Sequence, residues 1–357
     1  MKTAVVYDFL FTKGGMDRAT AILARGFDAD IWTTTYIPER TYPELKKIKI
    51  FQHPLTFHRR GLLQIEAVLK FRRMDLSDYD LIISSGDWGK HVGMKDENHP
   101  QVHFENTVVR PFYDLYHFIK NRYPFFQRQV FEAWVWYMRR LDRQAVQKID
   151  RIACNSEIVR ERIKKYYKRD AEVVGVPINV KRFRHRISGD FYLSVQRIAP
   201  PKRVELQIGA FRSLPSEKLV IVGPYDDRSY SEKLQKIVPK NVKFAGPISD
   251  KEIIDLYSRC KAAVQTSVDE DFGQVPIEAM ASGKPCIAVN EGGFRETIVH
   301  GKTGLLINPP YVKNLSAAIK NFARYDFDPK VCRKRAELFS EEKWIKNLKA
   351  VVRKTLQ

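Results

Sequence analysis

The stretch 268–285, running from Val268 through Glu270, Phe272, Gly273 and Glu278 to Pro285, limits what this chain can fold into more than any other. The apolar run Ala262-Ala263-Val264 before it and Pro285-Cys286-Ile287-Ala288-Val289 after it both read as strands. A strand, loop, helix and strand in that order form one crossover unit of a parallel sheet, since parallel neighbours need a long connection, usually a helix. The unit sets two carboxylates, Glu270 in the loop and Glu278 in the first turns of the helix, with seven residues between them. In open parallel sheets ligands gather at the carboxyl ends of the strands, where helix N-termini present unpaired backbone donors. A plainer reading leaves Glu278 complementing the helix dipole and Glu270 in solvent.

The same alternation recurs along the chain. Strand-like runs at Ala4-Val5-Val6-Tyr7, Leu81-Ile82-Ile83-Ser84 and Arg151-Ile152-Ala153-Cys154 are separated by helical patterns. The second half repeats the pattern at Phe191 to Val195, Leu219 to Val222, Val242-Lys243-Phe244, Ala262 to Gln265 and Cys286 to Val289. At 357 residues the chain exceeds the usual size of a single core, so two doubly wound domains are expected. Gly175 and Pro177 interrupt the pattern after the helix around Arg160 to Tyr167, which places the domains at 1–174 and 175–339. Ser340 opens a last helical stretch, 340–357, with Lys343 at the position a capping box gives to an acid.

Charge and cysteine content narrow the partners and the compartment. Lys and Arg total 62 against 42 Asp and Glu, a formal charge of +20, so anionic partners are favoured: nucleic acid, acidic lipid or phosphorylated small molecules. No apolar run reaches the ~18 to 20 residues that cross a bilayer, and a strand-like run starts within the first few residues. The expected location is cytoplasmic, or peripheral on the cytosolic face of a membrane. Cys154, Cys260, Cys286 and Cys332 are widely spaced beside apolar segments, fitting buried free thiols rather than a zinc pattern or disulfides.

Several loops suit phosphate. Lys13-Gly14-Gly15-Met16 follows the first strand and precedes a helix, so the backbone can approach an anion there, although neither a P-loop nor a dinucleotide fingerprint is present. Arg197 and Lys202 follow the first strand of the second half, a fork and a point charge for a diphosphate. Arg203 beside them reads as a solvated base. Gly292-Gly293 again pairs glycines after a strand.

In combination these residues resemble glycosyltransferase family 4, retaining sugar transferases of GT-B architecture, and most closely its mannosyltransferase-like branch. The likeness is carried by Gly14-Gly15, Asn155-Ser156 with Arg162-Ile163, Arg197 with Lys202, Val222-Gly223-Pro224, the block from Glu270 to Gly283, and Gly292 to Glu296. It implies an α/β fold of two Rossmann-like domains facing a central cleft, the first binding the acceptor and the second a nucleotide-sugar donor, with the helix 340–357 packing back on the first. It implies catalytic roles for Arg197 and Lys202 at the donor diphosphate and for Glu270 at the sugar hydroxyls. Glu278 would grip the ribose diol, Phe272 and Gly273 would offer backbone donors, Pro247 and Ile248 would line the base, and Gly14 and Gly15 would lie near the phosphate. No cofactor and no metal are implied, positive side chains neutralising the leaving diphosphate. The branch carries a histidine where this chain has Asn106, and an amide can bond a sugar hydroxyl but cannot carry a proton. His103, three residues upstream, reads as structural.

The implied reaction moves a hexose, first of all mannose from GDP-mannose, to a glycan or lipid-linked acceptor. Aromatic and basic residues mix between Arg110 and Arg140, and again from His58 to Arg73, so an anionic membrane surface is a candidate partner, through Arg72, Arg73, Arg139 and Arg140 among others. Three rivals remain: a binding protein that has lost catalysis, a soluble glucan or sucrose-type acceptor, and a nucleic-acid-binding protein. The last is disfavoured because the bases are dispersed and Glu270 and Glu278 would repel phosphates.

Overall fold

A computed structural model describes residues 1–57, 60–94 and 99–357. The chain forms two units, Met1–Pro177 with Trp344–Gln357, and Ile178–Lys343. In the first, strands β1 (Thr3–Leu10), β2 (Asp30–Tyr36), β3 (Ile50–Gln52), β4 (Leu81–Ser85), β5 (Gln101–Glu105), β6 (Arg151–Cys154) and β7 (Glu172–Val173) pair in the order β3-β2-β1-β4-β5-β6-β7, all parallel. Val5 stands opposite Ile31 on one side and Ile83 on the other. Successive residues of a strand face opposite ways. Val6, Ile82 and Ile152 therefore enter one apolar cluster, while Val5, Ile31, Ile83 and Phe104 enter a second.

Helices cover both faces, as an all-parallel sheet requires. Helix Phe125–Lys148 sends Val135, Met138, Leu141 and Val146 into the first cluster, and Ala145 is buried on the same stripe. Helix Glu341–Thr355 buries Trp344, Leu348, Val351 and Val352 in the second cluster, with the Trp344 ring edge-on to Phe104 at 5.3 Å. The last helix thus belongs to the core of the first unit. Its N-terminus is capped by the Ser340 hydroxyl, which accepts from the Lys343 amide at 3.3 Å.

Charge is also buried in this unit. The Lys90 ammonium, with no exposed surface, lies 2.9 Å from Glu105 and 3.2 Å from Asp142, and Tyr113 donates to Asp142 at 2.7 Å. At the end of β1 the Asp8 carboxylate accepts from the amides of Asp87, Trp88 and Gly89 at 2.6, 3.0 and 2.7 Å, tying β1 to the turn after β4.

The second unit repeats the architecture with β8 (Phe191–Val195), β9 (Lys218–Val222), β10 (Val242–Gly246), β11 (Ala263–Gln265), β12 (Cys286–Val289) and β13 (Gly304–Ile307), in the parallel order β10-β9-β8-β11-β12-β13. In each sheet the order reverses beside the first strand, between β1 and β4 and between β8 and β11. Loops leaving adjacent strands there turn to opposite sides and open a crevice at the carboxyl ends. All four cysteines are buried free thiols.

Candidate active site

The crevice of the second sheet is built by the loops after β8 and β11. Pro200–Lys202 forms one short helical turn, and Arg203 then takes a left-handed conformation (φ 48°) that starts helix Val204–Arg212. The loop after β11 is stitched to it: the Val268 amide donates to Pro201 O at 2.8 Å, and the Thr266 hydroxyl lies 2.8 Å from Lys202 O and 3.1 Å from Arg203 O. Thr266 is held in turn by the Gln207 amide at 2.9 Å. This scaffold brings the Lys202 ammonium to 2.7 Å from the Glu270 carboxylate, both side chains about a quarter exposed (22% and 24%). A charged pair so placed is within reach of solvent and of a ligand.

The Glu270 segment is fixed from its other side by the turn after β12. The Gly293 amide donates to Glu270 O at 2.7 Å. Gly292 has φ +54°, and a Cβ there would stand 2.3 Å from Glu270 O, so only glycine permits the approach. Arg203 lies 3.0 Å from both oxygens of Glu291 and clamps this turn to the loop after β8. Phe272 is buried edge-on to Phe339, ring centroids 5.5 Å apart, and Gly273 starts helix Gln274–Ala281. Glu278 is the fifth residue of that helix, past the first turn where a carboxylate complements the dipole. It accepts instead from the Tyr257 hydroxyl at 2.8 Å. Burial, with Glu278 next to it, holds the Tyr257 phenol well above its ordinary pKa, so it remains a donor.

Arg197 is 67% exposed and bonds Asp226 at 2.8 Å across the loops after β8 and β9. Gly223 sets the spacing of those loops: φ is +140°, and a Cβ would lie 1.9 Å from Gln196 O. Gly223→Ala is expected to destabilise the second unit by at least about 2 kcal/mol, through a glycine-only conformation and a backbone clash. Thermal denaturation reads this, and an unchanged melting temperature would refute it. Pro247 is exposed and Ile248 half-buried in the loop between β10 and helix Asp250–Arg259.

Residues 177–339 match the family model described as glycosyl transferases group 1. The second unit is a group 1 glycosyl transferase domain. Among curated relatives, the chain is 31% identical over 207 residues to mouse alpha-1,3/1,6-mannosyltransferase ALG2, covering 48% of this chain and 50% of the relative. It is 32% identical over 216 residues to the O-antigen chain mannosyltransferase RfbU of Salmonella typhimurium, covering 54% and 60%. The chain thus spans about half the length of the curated relatives it matches. Both units share their fold with Anabaena Alr3699/HepE solved with UDP and glucose (TM-score 0.72, 17% identity, 99% of each chain). They share it too with sucrose-phosphate synthase from Thermosynechococcus elongatus (TM-score 0.76, 19% identity, 99% of each chain). The family 4 likeness carried by the motifs and the GT-B fold it implied both hold.

Against this group 1 domain, the sequence expectations divide. Lys202, Glu270, Phe272, Gly273 and Glu278 lie on the loop and helix at the switch point or lead into it. Arg203 corrects the reading of a solvated base: its guanidinium is three-quarters covered (24% exposed) and ion-paired with Glu291. The signal that could have found the pair was the acid immediately before Gly292-Gly293. Tyr257 and Asp226 were missed because nothing local marks a phenol or carboxylate that acts across sequence separations of 21 and 29 residues. In the first unit, Gly14 and Gly15 start helix Gly15–Phe27 after β1, and Asn106 follows β5 with its carbonyl oxygens held by the Asn155 amide at 2.7 and 3.1 Å. His103 is buried, its Nδ1 2.9 Å from the Ser84 hydroxyl, and burial lowers its pKa, which fits a structural imidazole.

Proposed function

We propose that the chain is a retaining, metal-independent hexosyltransferase that moves mannose from GDP-mannose to a glycan or lipid-linked sugar, acting in the cytoplasm or at the cytosolic face of a membrane. The Lys202–Glu270 pair at the switch point, with Glu278 on the helix that follows, is the observation that carries this reading. The two curated relatives named as mannosyltransferases support the sugar.

On donor binding Lys202 and Glu270 exchange each other for substrate. Lys202, with Arg197, takes phosphate oxygens, while Glu270 accepts from sugar hydroxyls and Glu278 from the ribose diol, steadied by Tyr257. The amides of Phe272 and Gly273 donate to the donor, and Pro247 and Ile248 line its base. The bond from the anomeric carbon to the phosphate oxygen breaks, and its electron pair stays on the diphosphate, where Lys202 and Arg197 stabilise the charge. The acceptor hydroxyl attacks from the same face and passes its proton to the departing phosphate oxygen, so configuration is retained without a protein base.

Calorimetric titration with GDP-mannose, UDP-glucose and UDP-galactose, with and without chelator, tests the reading. One donor is expected to bind saturably and independently of chelator, with affinity at least about tenfold lower in Glu278→Ala, since hydrogen bonds to a charged group are worth ~1.5–3 kcal/mol. Arg197→Ala is expected to weaken the same donor. Failure of every donor to bind would overturn the proposal.

A further inference from the structure

Helix Phe125–Lys148 leaves one face uncovered, and that face is aromatic. Phe125 is 66% exposed, Phe126 84% and Trp136 66%, with Val130, Ala133 and Tyr137 exposed beside them. At 100° per residue these six fall within an arc of about 140°, opposite the stripe that fills the core. Further along the same arc come Arg140 and Arg143, both exposed. The helix has two acids, and neither reaches this face: Asp142 is buried, and Glu132 is half-buried against Lys120.

We propose that this face docks on an anionic membrane surface. Rings of Phe, Trp and Tyr suit the boundary between headgroups and acyl chains, and an acid-free row of arginines on a chain of charge +20 complements acidic lipid. A second copy of the chain fits less well, because pairing this face with itself opposes arginine to arginine. The helix lies along the membrane rather than through it: among the described residues no helix is long and apolar enough to cross.

The structure also corrects which bases take part. Arg139 turns inward, donating to Phe112 O and lying over the Tyr116 ring at 4.5 Å. Arg72 has buried guanidinium nitrogens, and His58 and Arg59 lie outside the described residues. Arg140 is therefore kept, Arg143 joins it as the second residue to reverse, and Arg73, though exposed, ends a different helix, Arg60–Arg73.

The docking face extends the proposed function by naming where a lipid-linked acceptor would be met. Vesicle binding and donor binding are read separately, so either can fail without the other. Co-sedimentation of the full chain with vesicles of equal parts phosphatidylglycerol and phosphatidylcholine is expected to show binding that weakens with salt and in vesicles of phosphatidylcholine alone. Phe126→Ser with Trp136→Ser, and separately Arg140→Glu with Arg143→Glu, are each expected to lower partitioning about tenfold or more, with unchanged melting temperature and donor affinity. Wild-type chain that stays in the supernatant, or variants that pellet like wild type, would overturn the proposal. So would sedimentation velocity showing a vesicle-free dimer that the Trp136 variant loses, which would give the face to a second copy.

Discussion

Lys202→Ala is expected to lower the turnover of sugar transfer by about 10²–10³-fold, the usual effect of deleting one group that stabilises developing charge. The ammonium lies 2.7 Å from Glu270, and its backbone is fixed by bonds from Thr266 to Lys202 O and Arg203 O and from Val268 to Pro201 O. It is thus held in place before the donor arrives, and water need not reorganise around it as the bond breaks. Both partners are partly exposed, so breaking the ion pair changes stability by no more than about 1 kcal/mol. Turnover should fall while the melting temperature holds. Lys202→Arg keeps the charge and is expected to recover part of the rate. Turnover that survives the alanine substitution at saturating donor would remove Lys202 from the mechanism.

The second large effect is on folding. Lys90→Met is expected to destabilise the first unit by about 3–5 kcal/mol, because it leaves buried carboxylates without their cation. Burial alone would push the Glu105 carboxyl up, yet Lys90 and His103 hold it below its ordinary value. Burial would likewise lower the Lys90 ammonium, but Asp142 and Glu105 raise it well above its ordinary range. The sign of the pH dependence follows. The depressed Glu105 contributes stability above its unfolded pKa, and that contribution is lost as pH falls through the folded value. Without Lys90 the same carboxyl is raised by burial and gains by protonation. The stability gap between wild type and Lys90→Met should therefore narrow from about pH 7 to about pH 4 in urea unfolding. A gap that is small at neutral pH, or that widens in acid, would show that the network does not hold charge in this way.

Strands central to each sheet were legible because burial on both faces forces continuous apolar runs, as in Ala4 to Tyr7 and Cys286 to Val289. Of those left unread, β13 is an apolar edge strand of four residues beginning at a glycine, and the others have different compositions. β2 carries Thr33, Thr34 and Thr35, and two of these hydroxyls are paired across to β1: Thr33 and Thr34 donate to Asp8 O, at 3.1 and 2.6 Å. β5 sets His103 and Glu105 in its interior, and β3 and β7 are edge strands of three and two residues. Polar side chains in a core are paired by tertiary contacts, which leave no periodic mark.

The sequence by itself determined the alternation of strand and helix, the two-unit plan, and the acid–Phe–Gly–Glu block with its seven intervening residues, because these depend on side-chain period and on backbone freedom at glycine. Only the tertiary structure decided which charges meet. It set Lys202 on Glu270 and Arg203 on Glu291, turned Arg139 inward and left Arg140 outside, and buried Lys90 between two acids. Each of these pairings joins segments far apart in the sequence, and the free energy that selects it comes from desolvation and distance, quantities that exist only once the chain has folded.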